Sequence, residues 1–150
     1  MNALLQPTSS AAPSLSLSRE EIDLVRAQFA LIGRDADGFA SDFYDALFSL
    51  APLVRAMFSG PMPEQRGKLV RMLALLVSQL HAPESMVAPL AALGERHRGY
   101  GVLSLDYDKV GDALLRALRK HLGADFNDAS RAAWGKAYFF IASNMHTMPA

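Results

Sequence analysis

Apolar residues recur at spacings of three and four along most of this chain, the pattern of helices that bury one face. The first series, Ile22, Val25, Phe29 and Ile32, follows Ser18-Arg19-Glu20-Glu21, a capping box, and Gly33 closes it. A second face carries Phe39, Phe43, Ala46, Leu47 and Leu50 and predicts a helix from about Asp37 to Pro52, where a short turn to Phe58 begins. The loop SGPMPE forbids continuation. From Glu64 onward Gln65, Leu69, Met72, Leu73 and Leu76 share one face, and Pro83 interrupts that run. Further helices are predicted over Ser85–His97, Asp106–His121 and Asp128 to about Met145, the last capped by Asn127 or Asp128. No stretch alternates with period two, so the fold expected is all-α, with about six to eight helices and a short loop between the third and the next helix.

Length and composition narrow this picture. At 150 residues and 51% hydrophobic content, one domain can fill one core. Residues 1–17, rich in Ser, Ala and Pro and without Lys or Arg, are expected to form a tail ahead of a domain spanning 18–150, and they resemble no export or transit signal. Runs such as MLALLV and AYFFIA fall far below the ~18 apolar residues that span a bilayer. A cytoplasmic protein, monomeric or weakly dimeric, is the expectation. Lys+Arg and Asp+Glu both total 15, and this balance argues against nucleic acid or an anionic membrane as partner. With no cysteine, disulfides, iron–sulfur clusters, thiolate zinc sites and covalently attached haem are all excluded.

Among the four histidines, His81, His97, His121 and His146, none stands in a zinc-type spacing. Gly99 and Gly101 lack the third glycine and the preceding strand of a dinucleotide motif, and no serine sits in a nucleophile elbow. His97 is different. Leu93 and Leu90 precede it by four and seven residues, so the imidazole continues an apolar face that points inward. There it needs a partner, since an unpaired buried polar group costs roughly 1–3 kcal/mol. Iron in a flat apolar cofactor would serve, although a histidine in a last helical turn also simply suits the helix dipole. Gly94 either lets something planar approach or lets helices pack closely. A second constellation joins Tyr44, Phe58, Gln65 and Leu69, with Gln65 and Leu69 on one face. Tyr44 as an exposed ring and Gln65 as a helix-capping residue remain the alternatives.

Taken together, these segments resemble the globins, from about Leu17 to Met145. The likeness is to single-domain bacterial haemoglobins, similar to the haem domain of flavohaemoglobins and more distantly to neuroglobin. It is carried by LGERHRGYGV, YDKVGDALLRAL, LGADF and AAWGKAY, and in the first half by FYDALF, PLVRAMF and EQRGKLVRML. The resemblance implies a globin fold enclosing a haem pocket, with haem b as cofactor and His97 as the ligand to its iron. It implies Phe58 as the aromatic wedge on the porphyrin and Tyr44 and Gln65 as the distal polar pair. Leu69 would form the distal apolar wall. Lys68 would lie near the haem edge, Val102 and Val110 would line the proximal side, and Tyr107 would approach His97.

Two departures qualify the likeness. Flavohaemoglobins continue into a flavin and nicotinamide reductase module, whereas this sequence stops at Ala150, so an external reductase is expected. They also hold a glutamate near the proximal tyrosine, and the corresponding place here falls on Pro149. The function expected is reversible binding of O2, NO and CO at ferrous iron, with nitric oxide dioxygenation dependent on a separate reductase. A haem-based peroxidase-like enzyme, weakened by Pro149, and a gas-sensing regulatory globin are the alternatives.

Overall fold

A computed structural model of the chain describes residues 15–99 and 104–145. Among them are six α-helices and no strand: α1 (Arg19–Ile32), α2 (Ala36–Leu50), α3 (Met62–Ser78), α4 (Val87–Gly99), α5 (Ser104–Leu122) and α6 (Asp128–Met145). Single 3-10 turns over Gly33–Asp35, Pro52–Met57, Pro83–Met86 and Gly123–Asp125 join several of them. The short loop expected ahead of the distal helix is the stretch 58–61.

Local chemistry sets the boundaries. Ser18 Oγ accepts from the Glu21 amide at 3.1 Å while Glu21 Oε1 accepts from the Ser18 amide at 3.0 Å, so the capping box of α1 is complete. Helix α2 starts one residue before the predicted Asp37 because Asp35 caps it, its carboxylate accepting from the Gly38 amide at 3.2 Å. Helix α3 starts two residues before Glu64, since Pro63 lies in the first turn, where its missing N–H leaves no bond unmade. At its far end the Arg26 guanidinium of α1 donates to the Ser78 carbonyl at 3.2 Å, covering an acceptor that the helix itself leaves open. The predicted Ser85–His97 helix divides into a 3-10 turn and α4, as Pro83 starts a tight turn.

The helices enclose one core. Val25, Phe39, Leu80, Leu90, Leu118 and Phe140, drawn from every part of the chain, are almost wholly buried. Helix α5 packs chiefly on α2. Across that contact the Asp42 carboxylate takes His121 Nε2 at 2.6 Å and Lys120 Nζ at 3.0 Å. Burial alone would raise the Asp42 carboxyl, but these two hydrogen bonds outweigh it and hold the group below its ordinary range. Helices α1 and α6 are tied by a buried polar knot. Gln28 accepts from Trp134 Nε1 at 3.0 Å and donates to the Asp125 carbonyl and to Ser130 Oγ, both at 2.9 Å. Gly94 of α4 lies against the carbonyl of Met145 in α6 so closely that any side chain there would collide with backbone. Close helix packing is therefore what Gly94 serves, and the alternative of a planar group approaching it is set aside.

Candidate functional site

Protein interiors are normally filled, with few voids larger than a water molecule. This one contains a mainly apolar cavity of about 630 Å³, within the range of small-molecule and cofactor sites. Helices α3, α4, α5 and α6 supply most of its lining, with Tyr44 of α2 and Phe58 of the following loop among the rest. The i, i+4, i+7 register foreseen on α3 has its physical outcome here, as Gln65, Leu69, Met72, Leu73 and Leu76 all line the cavity.

Tyr44 is buried, which excludes an exposed ring. Its phenol oxygen accepts a hydrogen bond from Gln65 Nε2 at 3.2 Å, so the Gln65 side chain is committed to Tyr44 rather than to capping α3. Since that oxygen accepts from the amide, its own proton is left to serve an acceptor in the cavity. Burial pushes the Tyr44 phenol above its usual range, with the Gln65 bond opposing the rise, and the group stays protonated at neutral pH.

His97 reaches the same cavity from the last turn of α4, and Leu93, one turn earlier, lines it too. Its Nδ1 lies 2.8 Å from the Leu93 carbonyl. A carbonyl only accepts, so Nδ1 carries a proton, and in the neutral imidazole the lone pair is then on Nε2. Tyr107 and Val110 of α5 line the cavity too, and Lys68 stands exposed at its mouth. Tyr44, Phe58, Gln65, Lys68, Leu69, His97, Tyr107 and Val110, spread over more than sixty positions of sequence, thus share one chamber. Val102 and Pro149 lie outside the described residues, as does His146.

Several lining residues escaped the sequence reading. Arg96 joins Lys68 at the mouth, while Trp134, Tyr138, Ile141 and Met145 of α6 close the deep wall. Tyr138 Oη donates to the Tyr107 carbonyl at 2.6 Å, fixing α6 against α5, and burial drives its phenol far above the ordinary value. Only the motif AAWGKAY hinted at this wall, since its helical register alone does not say which neighbour it meets.

The donor set bears on what the chamber can hold. Among the described residues no three His, Asp or Glu side chains gather where they could bind a bare metal ion. His97 on its own suits a metal that brings its own chelating ring, and a mainly apolar chamber with Phe58 in its lining suits a flat, apolar ring. The fold and the site together define a protein whose described residues form helices around a cofactor-sized chamber lined by a histidine and a hydrogen-bonded polar pair.

The chain belongs to the globin family, a family of haem-binding proteins, whose family model matches residues 41–145. Curated relatives include the flavohemoprotein of Burkholderia sp. (strain TH2), 32% identical over 133 residues that make up 84% of this chain and 33% of that protein. The flavohemoprotein of Rhizobium meliloti (strain 1021) is 26% identical over 129 residues, 84% of this chain and 32% of its own. The chain thus spans about a third of the length of these relatives. A solved bacterial globin from Campylobacter jejuni superposes with a TM-score of 0.71 at 25% identity, over 83% of this chain and 91% of that one.

Proposed function

We propose that this protein holds haem b in the α3–α6 cavity and binds O2, CO and NO there in the cytoplasm, receiving electrons from a separate reductase. When bound, haem supplies a ferrous iron that takes diatomic gases reversibly. The observation that carries the reading is that one mainly apolar chamber is lined both by His97, whose Nδ1 is engaged by the Leu93 carbonyl, and by the hydrogen-bonded pair Tyr44 and Gln65.

Each residue has a definite task in this reading. His97 holds the iron through Nε2, and the Leu93 carbonyl, by accepting from Nδ1, fixes the ring's rotation and makes the ligand nitrogen more basic. Phe58, which lines the cavity, would pack on the ring system, Leu69, Tyr107 and Val110 would complete the apolar wall, and Lys68 would pair with an acidic edge group. On the distal side the Tyr44 hydroxyl donates toward the gas, and Gln65, by donating to the phenol oxygen, polarises that hydroxyl. A hydrogen bond to a partly charged acceptor adds about 1.5–3 kcal/mol, so O2, which draws electron density, gains more than CO. Tight oxygen retention is also the property that conversion of nitric oxide to nitrate requires, and we assign that reductase-dependent activity to the same site.

The test is the absorption spectrum of the purified protein reconstituted with haem, reduced, with and without O2 and CO. The wild type should take up one equivalent and give gas-dependent bands. His97→Ala should lose haem retention or show an altered spectrum. An alanine variant with an unchanged spectrum and unchanged gas uptake would refute the assignment of His97.

A further inference from the structure

The Tyr44 ring is held in a cage of other aromatic rings. Phe43 meets it edge-on with centroids 5.0 Å apart, and Phe58 does the same at 5.5 Å. Phe48, one helical turn further along α2 and so on the same face, lies tilted at 33° with its centroid at 5.8 Å. Phe48 is also 5.6 Å from Phe58, so Tyr44, Phe48 and Phe58 form a triangle of neighbouring rings. Outside that triangle the exposed Arg55, on the Pro52–Met57 turn, sets its guanidinium 5.1 Å from the Phe48 centroid.

Phe43 is a buried core residue that also lines the cavity, and Phe58 lines it too. Phe48 is half-buried and does not line the chamber. Its ring meets two residues that do line the chamber, Tyr44 and Phe58. Without its ring, the phenol gains a void on its outer side, and a buried ring beside a void moves to fill it. The Tyr44–Gln65 bond, already 3.2 Å long, lies near the far end of the useful range, so a displacement of a few tenths of an ångström weakens it. The Arg55 cation over the Phe48 ring limits that ring's own motion.

We propose that Phe48, held by Arg55, is a positioning residue that fixes the Tyr44 hydroxyl and thereby sets the discrimination between O2 and CO. This rests on the distal role given to Tyr44 above. The experiment uses the full chain loaded with haem and compares Phe48→Leu, Phe48→Tyr, Tyr44→Phe and the double variant Phe48→Leu/Tyr44→Phe. The readouts are O2 release, CO release and the infrared stretching band of bound CO.

Phe48→Leu should release O2 about 5- to 20-fold faster, a change of about one factor of ten in equilibrium terms, and alter CO release less than about twofold. Its CO band should broaden and move toward that of Tyr44→Phe, while Phe48→Tyr, which keeps the ring, should restore wild-type behaviour. The double variant should release O2 no faster than Tyr44→Phe alone. The proposal is overturned if Phe48→Leu leaves O2 release and the CO band unchanged, or if it accelerates release equally in the Tyr44→Phe background. If Tyr44→Phe itself changes nothing, the distal reading falls and takes this one with it; if only Tyr44→Phe responds, this proposal alone falls. Should Phe48→Leu fail to fold, the exposed Arg55→Gln takes its place. That variant should speed O2 release about two- to threefold only when Tyr44 is present, and no such effect overturns the proposal.

Discussion

Replacing Gln28 by leucine keeps nearly the same volume and removes every polar atom at the knot that joins α1 to α6. Gln28 is 4% exposed and Trp134 3%, so the loss cannot be made good by bulk water. The indole Nε1–H, whose acceptor is Gln28 Oε1, would be stranded at a cost of about 1–3 kcal/mol. The two bonds that Gln28 donates would go as well, at about 1 kcal/mol each. Ser130 Oγ still donates to the Asp125 carbonyl at 3.1 Å, and the added leucine surface is itself favourable to bury, so part of that second loss is recovered. The net expectation is a destabilisation of about 2–4 kcal/mol out of a total of about 5–15 kcal/mol. At about 2–4 °C per kcal/mol for a domain of this size, Tm should fall by about 4–16 °C. The assay is urea unfolding followed by circular dichroism at fixed haem loading, because a bound cofactor adds its own stabilisation. Combining Gln28→Leu with Trp134→Phe removes the stranded donor, so the double variant should be less damaged than the sum of the singles by about 1–2 kcal/mol. A Gln28→Leu protein within about 0.5 kcal/mol of wild type, or strict additivity in the double variant, would refute the reasoning.

Other perturbations follow from the same geometry. Gly94→Ala drives a methyl group into the Met145 carbonyl, which is backbone and cannot step aside, so Tm should drop by an amount equivalent to about 1–3 kcal/mol or more; a thermal melt equal to wild type would contradict it. Because His97 lies one turn beyond Gly94 on α4, haem loss to an external acceptor should also quicken in that variant. Tyr44→Phe removes the distal hydroxyl and should raise the O2 release rate by about 10- to 100-fold with much less effect on CO; stopped-flow release rates that match wild type would count against the donor role. Asp42 has a carboxyl held below its ordinary range by Lys120 and His121 against the opposing effect of burial. A depressed carboxylate adds stability above its unfolded value, about 3.9, and that stability is lost as the pH falls through the lower folded value. Asp42→Asn should therefore be less stable near neutral pH and show a flatter acid limb below about pH 4, and an acid limb as steep as wild type in urea midpoints would contradict the pairing.

The amino-acid sequence by itself determined the class of fold and most of the helices, because periods of three and four, a capping box at Ser18 and breakers such as Gly33 and Pro52 act within a few residues of where they stand. It also marked His97 and the Gln65–Leu69 face, since an imidazole or amide continuing an apolar stripe is a local oddity. Boundaries slipped by one or two residues at α2 and α3, where the cap at Asp35 and the tolerated Pro63 acted against the simple reading of the pattern.

Which way each stripe faced was a matter for the tertiary structure alone. Two meanings of Gly94 were equal on spacing, and only the position of the Met145 carbonyl, fifty-one residues away, chose between them. The commitment of Gln65 to Tyr44, the α6 wall of the cavity and the knot at Gln28 are likewise contacts between helices distant in sequence, and the aromatic cage adds Phe58 of a following loop to Phe43 and Phe48 of Tyr44's own helix. Helical periodicity states that a face will be buried, but it carries no information about the partner. That partner is set by how six rigid helices divide the apolar area among themselves, and here they leave a chamber unfilled at the place where the polar exceptions to the pattern converge.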